Sequence, residues 1–203
     1  MDSLHILLSV CVGIGLSAAC GFRVFVPLLC LSIAAKLGVL HLTPAFAWAG
    51  STTAIIVFGV ATVAEIAAYY IPWVDNALDS IAVPLATVEG VAVMASVLTD
   101  MDPLWRWTLA VIAGGGIAAT TQVTTTKARL ASSLTTGGFA NPILSTIENI
   151  SSTVLSIFAV VWPVVALILV IGILAVCWAF ICFVGKRLVK LFRRKSEPPT
   201  ITA

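Results

Sequence analysis

Six ionisable residues stand inside or at the edges of apolar stretches: Arg23, Glu65, Asp75, Asp79, Glu89 and Glu148. A charge at the centre of a bilayer costs at least about 2.5–3.5 kcal/mol on insertion scales. A chain tolerates that cost when the group faces a polar interior, finds a partner or becomes neutral, so such residues are functional candidates by default. Asp75 and Asp79 are four residues apart and share a helix face, with Asn76 beside them. Two carboxylates on one face repel unless a cation, a proton or an arginine lies between them. Arg23 is the expected partner, within ion-pair reach of at least one of Glu65, Asp75 and Asp79. It lies at a broken apolar stretch, and its guanidinium cannot escape burial by losing a proton. The primary candidate site for a solute or ion is therefore Arg23, Glu65, Asp75, Asn76 and Asp79, with Glu89, Thr124 and Glu148 as secondary candidates. Asp75 and Asp79 closely follow Trp73, so solvation of the pair at the membrane surface is the competing expectation.

Thr124 belongs to a hydroxyl-rich segment, Thr120–Thr126. Its hydroxyls can coordinate an ion or line a wet path, and they can equally bond back to helix carbonyls or join helices. No G-x-S-x-G, H-E-x-x-H or P-loop pattern occurs. His5 and His41 are the only histidines and lie near segment ends, so histidine acid–base chemistry is not expected and the chain does not read as an enzyme. Cys11, Cys20, Cys30, Cys177 and Cys182 lie in apolar stretches without a C-x-x-C pair; they imply small packing residues, with no metal, cofactor or redox framework.

The elements that carry these residues are membrane helices. Of the 203 residues, 60% are hydrophobic and 10% charged, against about 25% charged in a soluble domain. A chain this apolar cannot cover itself in water, whereas lipid solvates the outside of a helix bundle. A spanning helix takes about 20 mostly apolar residues. Residues 4–20 form one such run; without a basic n-region they read as a retained helix rather than a signal peptide. Residues 22–40 form a second run, joined at Gly21, Arg23 and Pro27 by no polar loop. Either two spans meet in a tight turn, or one long helix is broken there. Residues 41–46 read as a loop, 47–71 as a span, and 74–98 as an apolar run carrying Asp75, Asp79 and Glu89 around Pro84. A further span begins at 104 and turns polar after residue 119. Residues 132–142 have loop chemistry, and 153–185 are apolar for longer than one crossing, to be absorbed by tilt, a kink at Trp162-Pro163 or protrusion. Two faint echoes, Gly15–Ala19 with Gly116–Thr120 and Asn76–Ile81 with Pro142–Ile147, pair interruptions as transporters do, but the letters match poorly.

Six of the eleven basic residues fall in Lys186–Lys195. Following directly on an apolar run, they place the C-terminus in the cytoplasm by the positive-inside rule. The expected organisation is a transmembrane domain over residues 1–185 and a basic cytoplasmic tail over 186–203. One short basic block makes a poor footprint for nucleic acid, so the partners implied are the lipid bilayer and an unidentified small solute or ion; a homo-oligomer stays open.

The stretches GLSAACGFRVFVPLL (15–29), IPWVDNALD (71–79) and GGFANP (137–142) resemble the small bacterial membrane proteins grouped as domain-of-unknown-function family forty-one twenty-six. The resemblance runs over roughly residues 8–175. It implies a membrane location and draws attention to the first two motifs, and it brings no substrate or catalytic residue with it. Together these features predict an all-α polytopic membrane bundle, with broken or re-entrant segments near Gly21–Pro27 and Pro72–Pro84, in a bacterial inner membrane. The expected task is movement of a small solute or ion. A non-transporting scaffold or lipid-interacting protein, and a carboxylate-based enzyme acting on lipid, are the alternatives.

Overall fold

The computed structural model describes residues 3–137 and 139–195, and they form helices joined by short turns. Helix α1 (Ser3–Cys20) is the axis of the bundle. Its lower half is made of small residues, and Leu16, Ala18, Ala19 and Cys20 are wholly buried against Val93 and Val97, Ala118, Leu155 and Ala159, and Ala166 and Val170. Those partners come from α4 (Pro72–Val97), α6 (Gly116–Thr136), α7 (Asn141–Val161) and α8 (Pro163–Lys195). The Ser17 hydroxyl donates to the Gly90 carbonyl at 2.9 Å, and the Ser152 hydroxyl donates to the Ala19 carbonyl at 3.1 Å. Such short polar side chains join membrane helices where the hydrophobic effect offers no net attraction.

The bundle has two ends. His5, Val39–His41, Val97, Thr99, Asp100, Val160 and Pro163 border one cavity, which marks the first. Ala68, Pro72, Thr136 and Asn141 lie towards the second. The chain enters along α1 from the first end, turns at Gly21–Val24 inside the protein, and returns along the short α2 (Phe25–Lys36). The turn is thus the tip of a helical hairpin, so two helices meet in a tight turn rather than one long helix being interrupted. A 3-10 segment (Pro44–Gly50) follows, bent by 68° from α3 (Thr52–Ala68). Ser51 caps α3 by accepting the Ala54 N–H at 3.1 Å.

Among the described residues, four helices are long and apolar enough to cross a membrane, or up to five if the bent 3-10–α3 pair is one span. The break expected between Pro72 and Pro84 falls earlier, at Tyr69–Ile71. Pro72 opens α4 in the first helical turn, where a missing N–H costs nothing. The helix then runs through Pro84, as membrane helices can when their neighbours satisfy the freed backbone. The expected loop over 132–142 is mostly helix as well. The Thr135 and Thr136 hydroxyls donate to the Ala131 and Ser132 carbonyls at 2.8 Å, so these polar residues stay on the helix. Gly137, at φ +65°, ends α6 in the left-handed conformation that glycine adopts without strain. The long apolar run is divided at Trp162, where α7 stops and α8 begins at Pro163. α8 continues to Lys195, so the basic block prolongs that helix towards the second end.

Between α5 (Pro103–Leu109) and α6 the chain makes a π-helical stretch, Ala110–Gly115. It lets Gly114 meet Gly90 of α4. A Cβ on Gly90 would fall 2.6 Å from the Ala118 Cβ and 2.7 Å from the Gly114 carbonyl oxygen. Backbones this close are the usual contact of small-residue membrane interfaces. Gly116 faces open space by contrast. Gly90→Ala is expected to destabilise the protein by about 1–3 kcal/mol through overpacking, whereas Gly116→Ala leaves stability unchanged or slightly raised. Thermal unfolding of both variants in detergent checks the contrast.

Candidate functional site

α6 and α7 turn polar side chains inward at helical spacing. On α7 the buried positions are Asn141, Ser145, Glu148, Ser152, Leu155, Ser156 and Ala159, while Ile143, Ile147, Ile150 and Ile157 face outward. On α6 they are Ala118, Thr121, Gln122, Thr125, Arg129 and Ser132. This inverts the pattern of a soluble helix, as expected where lipid is the solvent. The two polar stripes converge with the tip of the α1–α2 hairpin towards the second end of the bundle.

At that point the charges alternate in a chain: Asp75, Arg129, Glu148, Arg23. Arg129 donates through Nη1 to Asp75 Oδ1, through Nη2 to Glu148 Oε2, and through Nε to Glu148 Oε1 at 3.0 Å. Glu148 Oε2 also lies 3.3 Å from Arg23 Nη2. Arg129 thus joins two carboxylates, and Glu148 joins two guanidiniums. The exposures are 1% for Arg23 and Asp75, 2% for Arg129 and 6% for Glu148, so the four charges must neutralise one another. Asn141 Nδ2 donates to Asp75 Oδ2 at 3.1 Å and to Ser133 Oγ at 3.1 Å. Arg23 donates through Nε to Asn149 Oδ1 at 2.5 Å, and through Nη2 to the Ser145 hydroxyl at 2.5 Å and its carbonyl at 3.1 Å. Both guanidiniums lie over the Tyr69 ring, 3.9 Å and 4.3 Å from its centroid for Arg23 and Arg129. A ring face attracts cations, more strongly when they are desolvated. One Arg23 donor, Nη1, has no partner among the described residues.

Glu65 does different work. Its two oxygens accept the backbone N–H groups of Val24 (2.8 Å) and Phe25 (3.0 Å). Those are free donors at the start of α2, where an acid is favoured by both hydrogen bonding and the helix dipole. With the bonds from Gly21 and Phe22 N–H back to Ala18 and Ala19, the hairpin tip is satisfied without water.

The structure therefore brings Arg23, Asp75 and Glu148 into one cluster and corrects Arg23's expected partner. The carboxylate that pairs with Arg23 is Glu148, because Glu65 is occupied by the tip backbone and Asp75 is taken by Arg129. Asp75 is buried, which also rules out a merely solvated surface position for it. Asp79 is half-buried beside the cluster, with Oδ1 unpartnered among the described residues. Glu89 lies apart, deeper in α4. Thr124 is outside the cluster; its hydroxyl bonds back to the Thr120 carbonyl at 2.9 Å. The Asn76 side chain lies outside the described residues. Sequence reasoning missed Arg129, Tyr69, Asn141, Ser145 and Asn149. The polar stripe of α7 at three- and four-residue intervals was the available signal for most of them, and a loop assignment after residue 132 hid it.

A bundle of apolar helices enclosing a neutralised charge cluster is a polytopic membrane protein. The chain belongs to the family described as domain of unknown function (DUF4126), whose family model matches residues 10–182. It matches no curated protein and no solved structure.

Glu148 is the member on which both arginines depend. Glu148→Ala is expected to destabilise the protein by about 3–5 kcal/mol, the usual result of leaving a buried charge unpaired. Double-mutant cycles for Arg129 with Glu148 and for Arg23 with Glu148 should show coupling of about 0.5–3 kcal/mol. The Arg23 and Asp79 pair, which makes no ion pair or hydrogen bond, should couple less strongly than either of these. Unfolding midpoints in detergent, with all variants in one lipid-to-detergent ratio, measure each cycle.

Proposed function

We propose that this protein moves a small solute or ion across the membrane, using the Arg23–Glu148–Arg129 cluster as its binding element. The observation that carries the reading is a carboxylate held between two guanidiniums beside the tip of the α1–α2 hairpin. Glu148 occupies from within the protein the place that a small anion would take. The arginines keep their charge at any physiological pH. A small anion that displaced the Glu148 carboxylate would meet the same two guanidiniums with their charge intact. Broken segments around a polar centre are the usual framework for such sites. Two openings lie near the elements concerned. A cavity of about 500 Å³ with His5, His41 and Asp100 opens at the first end. Another of about 340 Å³, between α3 and α4, reaches Glu65 and Tyr69. Between the first of these and the cluster stands the apolar core around Leu16, so the arrangement described here is a closed one.

The membrane in this proposal is the bacterial inner membrane, with the basic end of α8 and the charge cluster on the cytoplasmic side. A C-terminal fluorescent fusion that folds in the cytoplasm supports that orientation. The non-transporting scaffold is the second reading, favoured by the near-complete closure of the cluster and the pairing of both its carboxylates.

Vesicles carrying the purified protein separate the two. Under gradients of chloride, nitrate, bicarbonate, acetate and phosphate, at least one anion should move faster than in protein-free vesicles, as followed by a potential-sensitive dye. Glu148→Gln, which removes the internal carboxylate from both guanidiniums, should change that flux. If no anion moves with the protein folded, or if Glu148→Gln leaves the flux unchanged, the transport reading fails.

A further inference from the structure

A second buried acid stands away from the cluster. Glu89, on α4, is 6% exposed, and neither of its oxygens has a hydrogen-bond partner among the described residues. The ionisable groups that act on it are the Cys20 thiol of α1, a weak donor, and the Glu65 carboxyl of α3. Glu89 is also one of the residues that border a cavity of about 240 Å³ between α2, the 3-10 segment, α3 and α4. Phe25, Phe46, Trp48 and Phe58 supply aromatic walls, and no basic residue lines the space. The rim residues Trp48 and Val88 are exposed on the outside of the bundle, so the cavity opens sideways, towards lipid rather than towards either end.

We infer that Glu89 and this cavity form a site where a proton and a small lipophilic cation, such as a compact organic ammonium, compete. An ionised carboxylate without a partner in apolar surroundings costs several kcal/mol. It is therefore retained only with a proton or with a positive charge beside it. Aromatic faces stabilise organic cations, and most of all where water is excluded. A single acid without a base gives the site its sign, and the volume, below the roughly 300–1,000 Å³ of drug-sized pockets, limits it to small ligands. The two oxygens are enclosed and do not face the cavity in this arrangement, so the site forms only when the Glu89 side chain turns towards it. On exchange the carboxyl loses its proton to the bulk, and the resulting carboxylate pairs with the cation, one proton for one cation. The inference is independent of transport at the arginine cluster, because it concerns a different acid and a ligand of opposite charge.

Two measurements on the unaltered protein in detergent test it. Dicyclohexylcarbodiimide, a lipophilic reagent, takes up the proton of a neutral buried carboxyl while the carboxylate oxygen adds to its central carbon; rearrangement leaves a stable acylurea. Peptide mass spectrometry should place this adduct on Glu89. Benzyltrimethylammonium should suppress labelling at least tenfold more effectively than neopentylbenzene, its uncharged isostere. In weakly buffered solution the same cation should release one proton per molecule bound, and Glu89→Gln should abolish the release. No adduct at Glu89, or equal protection by the cation and its isostere, overturns the inference. The second result would show an apolar lipid pocket only.

Discussion

The shared carboxylate of Glu148 is the interaction on which the site depends. Arg23 and Arg129 cannot shed their charge, and the α1–α2 hairpin carries Arg23 into the interior whatever its surroundings. Each guanidinium then needs a counter-charge and enough acceptors for its fixed fork of donors. The structure meets that need by drawing α4, α6, α7 and the α1–α2 turn together around Asp75 and Glu148. Tyr69 closes the arrangement from the end of α3. Four separate helices thereby acquire one register, which apolar contact alone would leave loosely defined because lipid tails are as apolar as leucine.

The same constraint explains why the hairpin tip needs no water. Glu65 spends its charge on the backbone of Val24 and Phe25 instead of on the nearby arginine. A neutral tetrad beside an acid-capped helix start separates two functions that the sequence places close together: one acid positions the hairpin, and another balances its arginine. Glu89 belongs to neither arrangement, which is why it carries a separate inference.

Much of this was legible in the residues. The apolar composition, the retained first helix, the break around Gly21–Pro27 and the inward burden of Arg23 follow from bilayer energetics alone. The ion-pair partners did not follow, because they depend on which helices meet. Asp75 and Asp79 share a face by spacing, yet the ion pair with Arg129 is made by Asp75. Glu148 stood as a secondary candidate because nothing in the spacing showed that its helix meets the one carrying Arg129. Arg129 was concealed by serines and threonines that read as loop and are held on the helix by bonds to their own backbone. Pro84 misled in the other direction, since a membrane helix accommodates a proline that would break a soluble one.

The most direct test is a rotational-echo NMR measurement of couplings between ¹⁵N-labelled arginine side chains and ¹³C-labelled glutamate carboxyls, on the protein in lipid bilayers. The account predicts strong arginine–glutamate couplings that disappear in Glu148→Gln, because Glu148 serves both Arg23 and Arg129. Couplings that survive that substitution unchanged would mean that the arginines pair elsewhere, and the shared carboxylate would lose its place at the centre of the structure.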